Sequence, residues 1–380
     1  MTCLLCKNKD LITVLSLGDY FPQNTSKTYN KMGLDVAICN FCTTVQIPKR
    51  FGKEINFPPE YPFRSRMTKA LISNFVDLSE KLEKVLPGGS RILEIGSNDG
   101  SLLRLLEQKD FEVFGVEPTL AARESETKNP VAIGFFEDVS FEESFDCIVL
   151  TNTFAHLDNP VVVLRKLREL LTPNGLVIIE IVDLDQMLKM NEFDKFTHEH
   201  GIYFSQMTLN NLMSSEGFSE VSFERITTHG GSLRAMFRYT GVVIPFKKHN
   251  SQQLIEEFSI LRKRMLDLGV ELKNILSKFR SEGSPIFLAG ATTRGEILVN
   301  ALGLDKEIFQ AVLENPKSKR VGTLMANLDL EVVKDESISN CDSPTVLILA
   351  WHVYKEVSQS LKEVNPFTRC IIPLPEIRIL

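Results

Sequence analysis

From about residue 90 onward, short apolar runs alternate with stretches in which apolar residues return every three or four positions. "RILEI" (91–95), "FEVFGVE" (111–117), "FDCIVL" (145–150) and "GLVIIEI" (175–181) read as strands. "SLLRLLEQ" (101–108) and "VVVLRKLREL" (161–170) carry helical spacing. Strand–helix alternation predicts a parallel sheet with crossover helices, and ligands then collect at the carboxyl ends of the strands. After residue 200 the period changes. "SEVSFERITTHGGSLRAMFRYTG" predicts two strands of alternating polarity, paired antiparallel at the sheet edge through His229, Gly230 and Gly231. Open amides in that glycine pair could hold a phosphate or sugar oxygen near Arg234. A bare hairpin turn accounts for the same residues equally well.

Further on, Leu254, Ile255, Phe258, Leu261, Met265, Leu268, Leu272, Ile275 and Phe279 predict one long amphipathic helix over 250–281, with Gly269 as a softening point. "SPIFLAGATTRGEILVNALG", "FQAVLEN", "PTVLILAW" and "RCIIPLP" then describe a second, smaller α/β unit of Rossmann type. Its "AGATTRG" loop could accept phosphate or substrate but lacks a dinucleotide fingerprint. The pattern divides the chain into an N-terminal module (1–60), a helical linker (61–88), a core (89–245), a helical connector (246–282) and a C-terminal domain (283–380).

The first strand–turn–helix unit carries chemistry. In "LEIGSNDGSLL", Gly96 and Gly100 permit the backbone to turn and to approach a ligand closely. Glu117 ends the next strand, placed to accept hydrogen bonds from both hydroxyls of a ribose. The E-x-G-x-x-x-G spacing, running from Glu94, suits a nucleoside without a pyrophosphate, hence S-adenosylmethionine (SAM) rather than NAD. Asp99, Phe136, Asn152 and His156 also fall at or just after strand ends.

Composition narrows the reading. The 380 residues suffice for two or three domains, and the net charge of −6 argues against nucleic acid as the main partner. With no signal-peptide pattern and no apolar run long enough to span a bilayer, a cytoplasmic protein without a membrane partner is expected. Seven cysteines in a reducing compartment do not suggest disulfides. Cys3, Cys6, Cys39 and Cys42 form two C-x-x-C knuckles, a spacing that suits a structural Zn²⁺ site. Cys147, Cys341 and Cys370 lie in apolar runs and read as core residues. His198, Glu199 and His200, in "NEFDKFTHEHGIYFS", suit metal binding or proton transfer.

These motifs occur in one order. "CLLC…CNFC", "YPFRS", "LEIGSNDGSLL", "GVEP", "GFFE", "TNTFAHLDNP", "FDKFTHEHGIYFS", "HGGSLR", "GATTRGEIL" and "LAWHVYKE" together span nearly the whole chain. The chain resembles the SAM-dependent sugar C-methyltransferases that act on nucleotide-linked keto-deoxysugars. The resemblance implies a class I methyltransferase core between a small zinc-binding module and a C-terminal Rossmann-like domain. It implies that Glu94, Gly96, Asn98, Asp99, Gly100, Glu117, Phe136 and Asn152 hold SAM. It casts His200 as the base that forms an enolate, with His156, Glu199 and His198 in support. Tyr61, Phe63, Thr197, Tyr203 and the segment His229, Gly230, Gly231, Ser232 and Arg234 would face the sugar nucleotide. A monomer or weak homodimer is the implied state.

Two positions depart from the family. Thr197 stands where tyrosine is usual, and Phe63 where a second phenol is frequent. The departures leave open an O- or N-methyltransferase, or an epimerase working through the same enolate. A catalytically inactive zinc-containing binding protein is the reading from another class. A metal-dependent hydrolase built on H-x-H is a fourth.

Overall fold

The structure, a computed structural model, describes residues 1–22 and 29–380, apart from the side chain of His229. Its contacts divide it into two compact units. The first comprises Met1–Ile12, Ala37–Gln186 and Glu199–Ser251; the second comprises Thr13–Val36, Met187–His198 and Gln252–Leu380.

In the first unit the chain order is α1 (Lys69–Val85), β1 (Arg91–Ile95), α2 (Ser101–Glu107), β2 (Glu112–Glu117), β3 (Ala132–Ile133), β4 (Phe145–Thr151), α3 (Pro160–Leu170), β5 (Leu171–Val182), α4 (Gln206–Ser215), β6 (Phe218–Ile226) and β7 (Ser232–Tyr239). These strands form one sheet in the order β6-β7-β5-β4-β1-β2-β3. The strands from β5 across to β3 run parallel, and β7 runs antiparallel to both its neighbours. This is the class I methyltransferase arrangement that the resemblance implies, with the glycine-joined pair β6 and β7 at the edge.

Alternation along the strands decides the layers, because successive side chains leave a strand on opposite faces. Ile92, Cys147, Val149, Leu176 and Ile178 pack with Leu71, Phe75, Leu78 and Leu82 of α1 and with Leu102, Leu103 and Leu106 of α2. The residues between them, Leu93, Ile148, Leu150, Val177 and Ile179, pack with α3 and α4 through Val163, Leu164, Leu167, Leu209 and Leu212. Helix α1 therefore covers the sheet as one of its layers. Asn159 caps α3 ahead of Pro160, and Ser205 with Thr208 forms a capping box on α4. Strand β5 begins earlier than its apolar run, at Leu171, because a bulge pairs Leu171 with Phe145 and Leu176 with Cys147.

The second unit runs α5 (Gln252–Ser281), β8 (Ile286–Ala289), α6 (Thr293–Ala301), β9 (Val312–Glu314), β10 (Leu324–Met325), β11 (Leu330–Lys334), β12 (Thr345–Ile348), α7 (Tyr354–Val364), β13 (Arg369–Ile372) and β14 (Arg378–Ile379). The sheet order is β10-β11-β9-β8-β12-β13-β14, with a parallel centre and antiparallel edges. Gly269 makes a close contact instead of softening α5: a Cβ there would sit 2.7 Å from the Leu302 carbonyl oxygen. Cys147 and Cys370 are buried strand residues, whereas Cys341 is half-buried in the turn after Asp335–Ile338. Among the described residues no helix is long and apolar enough to cross a membrane.

Candidate functional site

Both cysteine knuckles use the same local device. Lys7 and Thr43, each four residues after the first cysteine of its pair, take positive φ (62° and 57°) and donate back to the Cys3 and Cys39 carbonyls. The Sγ atoms stand 3.6 Å apart for Cys3 and Cys42 and 3.5 Å apart for Cys6 and Cys39. All four lie within 4.8 Å of one another. A tetrahedral ion with metal–sulfur bonds of about 2.3 Å has sulfur–sulfur edges of roughly 3.8 Å, so the set fits one small divalent ion. Hydrogen bonds from the Cys3 thiol, then from Cys42, hold the Cys39 thiol down to about 2. Cys3, Cys39 and Cys42 also belong to the first unit's apolar core.

At the carboxyl end of β1 the chain turns through Gly96 (φ 74°) and Gly100 (φ 72°). These two angles fall in the left-handed region that glycine enters without strain. Space forbids side chains as well: a Cβ on Gly96 would lie 2.3 Å from Thr153 Oγ1, and one on Gly100 2.2 Å from Ser125 Oγ. Glu117 accepts from the Asn98 amide (3.0 Å) and from the Thr119 amide and hydroxyl (2.9 and 2.6 Å). A carboxylate offers about four acceptor positions, so roughly one remains for a further hydroxyl. Burial raises the Glu117 carboxyl above its ordinary range.

Glu94 is more deeply placed. One oxygen accepts from Thr151 at 3.3 Å, while Oε2 is buried without a hydrogen-bond partner among the described residues. Burial, followed by the charges of Asp99, Glu117 and Glu180, pushes its carboxyl well above the usual carboxylate values. Asp99 and Glu117 stand beside Glu94 at the carboxyl ends of the strands, whereas Glu180 is paired with Arg234. Asn152 (φ 55°) closes the end of β4 and donates to the Glu180 carbonyl. Phe136 is buried in a turn held by Lys166, whose Nζ donates to the carbonyls of Phe136 (2.6 Å), Glu137 (3.2 Å) and Val139 (2.5 Å). Together, the open Glu117 position, the unengaged Glu94 oxygen and the glycine turn fit SAM, which bears a ribose, an ammonium group and a sulfonium.

The segment carrying "YPFRS" crosses these strand ends. Asn98 Oδ1 accepts from the Ser65 amide (2.9 Å), its Nδ2 reaches the Phe63 carbonyl (3.3 Å), and Asp99 accepts from the Arg66 amide (3.1 Å). Phe63 is exposed, while the Tyr61 ring lies 5.4 Å from the Phe57 ring. Phe57 in turn packs edge-on against His156 at 4.9 Å.

His156 and His200 meet as a T-shaped pair with ring centroids 4.6 Å apart, and Tyr203 lies 5.5 Å from His200. His156 Nδ1 donates to the Glu199 carbonyl at 3.0 Å, which fixes the ring's orientation. Burial, with Arg50 as an adjacent positive charge, lowers His156 to about 4, so it is neutral at physiological pH. The pair is pinned to the knuckles through backbone. Ile202 and Tyr203 pair with Gln46 and Val45, which pair with Ala37 and Ile38 just before Cys39.

Other expected residues lie elsewhere. His198 and Thr197 are buried in the second unit, where His198 Nε2 is 3.1 Å from the Gly33 carbonyl and its ring edges onto Tyr20. Arg234 is engaged inside the first unit by Glu180 (2.5 Å), Asp77 (2.5 Å) and Asn74 (2.8 Å). Ser232 donates to the Thr228 carbonyl, Gly231 lies over Gln186, and Gly230 has φ 82°. The His229 side chain lies outside the described residues. Sequence reasoning missed Arg50, Phe57 and Lys166. In "IPKRFGKEINF" the first two look like ordinary loop residues, and no spacing marks them.

A Rossmann-like sheet with an acidic, glycine-turned cofactor edge defines the class I SAM-dependent methyltransferases. A methyltransferase domain family matches residues 63–222, and a C-methyltransferase C-terminal domain family matches residues 227–375. The chain therefore belongs to the SAM-dependent C-methyltransferases that join these two domains. C-methyltransferase NovU of Streptomyces niveus is 25% identical over 416 aligned residues, covering 100% of this chain and 96% of the relative. An uncharacterized methyltransferase of Staphylococcus carnosus is 31% identical across 36% of this chain and 66% of its own length. Among solved structures, the PH0226 protein of Pyrococcus horikoshii OT3 is 19% identical with a TM-score of 0.41, matching 50% of this chain and 100% of that one.

Proposed function

We propose that the protein methylates a carbon next to the ketone of a nucleotide-linked keto-deoxysugar, with His200 as the general base. The observation that carries this reading is the His156–His200 pair, 4.6 Å between centroids, in the same unit as the SAM turn. A ketone acidifies the adjacent C–H, and an imidazole is matched to removing such a proton near neutral pH. SAM supplies an electrophilic methyl group.

The chain's own residues do the rest. His200 takes the proton from the carbon. His156, neutral and anchored on the Glu199 carbonyl, holds the cleft wall against which His200 packs. Glu94, Glu117, Asn98, Asp99 and Phe136 form the cofactor side. The four cysteines hold a structural Zn²⁺ that keeps the strand bearing Tyr203 in register. Phe63 stands where a phenol is frequent in the family, so the sugar is one held with fewer aromatic hydroxyls.

The test is a panel of nucleotide-linked keto-sugars assayed for SAM-dependent mass gain, with NMR locating the methyl. His200→Ala is expected to lower turnover by about 10²–10⁴-fold while SAM affinity, measured by calorimetry, stays near wild type. A methyl found on oxygen or nitrogen, or full activity in His200→Ala, would overturn the reading.

A further inference from the structure

Arg50 lies in a loop after the strand Val45–Gln46, where "PKR" reads as solvated charge. The fold buries it instead: the side chain is 10% exposed. Of its five N–H donors, the structure engages only Nη2, which donates to Asp158 Oδ1 at 2.9 Å. Nε and Nη1 donate to nothing among the described residues, and Asp158 is itself half-exposed. A guanidinium taken out of water regains its lost hydration only when its donors are met. Here most are not.

Its position is specific. A Cβ on Gly201 would lie 2.6 Å from Arg50 Cζ and Nη1, so glycine follows His200 because the guanidinium occupies that space. The Gly201 amide donates to the Ala155 carbonyl at 2.8 Å, immediately before His156. Arg50 thus lies across the two stretches of backbone that carry the paired histidines. It is also the adjacent charge that disfavours protonation of His156. A buried guanidinium with unengaged donors beside the neutral His156 imidazole favours a ligand that gains negative charge during reaction.

We propose that Arg50 is a catalytic residue that holds the substrate oxygen on which negative charge develops. This rests on the enolate reading above. His200 takes the proton from the carbon; the C–H electron pair becomes the C=C bond, and the carbonyl π pair moves onto the oxygen facing Arg50. That pair then returns to re-form C=O as the carbon bonds to the SAM methyl. The methyl–sulfur bond breaks with its electrons going to sulfur, releasing S-adenosylhomocysteine. The guanidinium is present before the charge forms, so no reorganisation is needed in the step.

Deuterium wash-out from nucleotide-linked keto-sugars, followed by NMR without SAM, reads enolate formation apart from methyl transfer. Wild type is expected to exchange the proton beside the ketone, and His200→Ala not to. Arg50→Met is expected to slow exchange by about 10²–10³-fold, the loss typical of one oxyanion donor set, with KM changed only a few-fold. Arg50→Lys, keeping the charge without the fork, recovers part of that rate. SAM affinity and melting temperature, measured on the same variants, separate this from unfolding. Exchange by Arg50→Met within about threefold of wild type, or equal losses in Arg50→Lys and Arg50→Met, overturns the role of Arg50 alone. If wild type exchanges no member of the panel, the enolate reading falls and takes this role with it.

Discussion

His156 shows how environment assigns a role that residue type leaves open. Histidine titrates near 6.5 in an unfolded chain, and burial moves this one to about 4. Between those values the unfolded state binds more protons than the folded state, so the contribution of His156 is complete above about pH 6.5 and is lost as pH falls toward 4. Replacing His156 with Phe removes this dependence. The melting temperature of His156→Phe, followed from pH 7.5 to 4.5, should fall less steeply than that of wild type. Parallel curves would show that His156 is protonated in the folded protein after all. Spacing and resemblance drew attention to His156, His200 and Tyr203, yet nothing in one dimension distinguishes His198 from His200. In an extended segment residues two apart would share a face, but His198 and Glu199 form a turn, so the two histidines part and His198 faces Tyr20 and the Gly33 carbonyl in the second unit.

Elements decide what the cofactor edge can hold. The turn bearing Phe136 is a short 3-10 stretch, Phe136–Asp138, too brief to hold its shape alone. Lys166 on α3 supplies the restraint through its three carbonyl contacts, and it also lies 4.6 Å from the Phe136 ring centre. Lys166→Met keeps the aliphatic stem but leaves those carbonyls unmet. SAM affinity measured by calorimetry should weaken by about tenfold, equivalent to roughly one lost charged hydrogen bond, with little loss of secondary structure. Unchanged affinity would separate this turn from the cofactor. The strands themselves were legible: β1 coincides with its apolar run and β2 and β4 differ by a residue, because strands buried on both faces read as continuous hydrophobic blocks. The start of β5 was not legible, since a bulge is set by its partner strand.

At the scale of the whole chain, the cysteine cluster brings Cys3, Leu5, Cys39 and Cys42 together in the first unit's core. Removing the proposed ion would leave four sulfurs crowded without a counter-charge. Chelation, or Cys39→Ser, should therefore lower the melting temperature on the order of 10 °C, with elemental analysis giving one zinc per chain beforehand. Metal-free protein that melts like wild type would refute a structural ion. The sequence by itself determined the strand blocks, the knuckles, the E-x-G-x-x-x-G turn and the acid that ends β2. Each of these depends on residues near one another in the chain, or on a period that backbone geometry imposes. Only the tertiary structure decided which charges are buried and what they face. It engages Arg234 with Glu180, Asp77 and Asn74, and leaves the guanidinium of Arg50 largely unengaged beside Gly201. Such desolvation and pairing arise between residues tens to more than a hundred positions apart, and no local pattern encodes them.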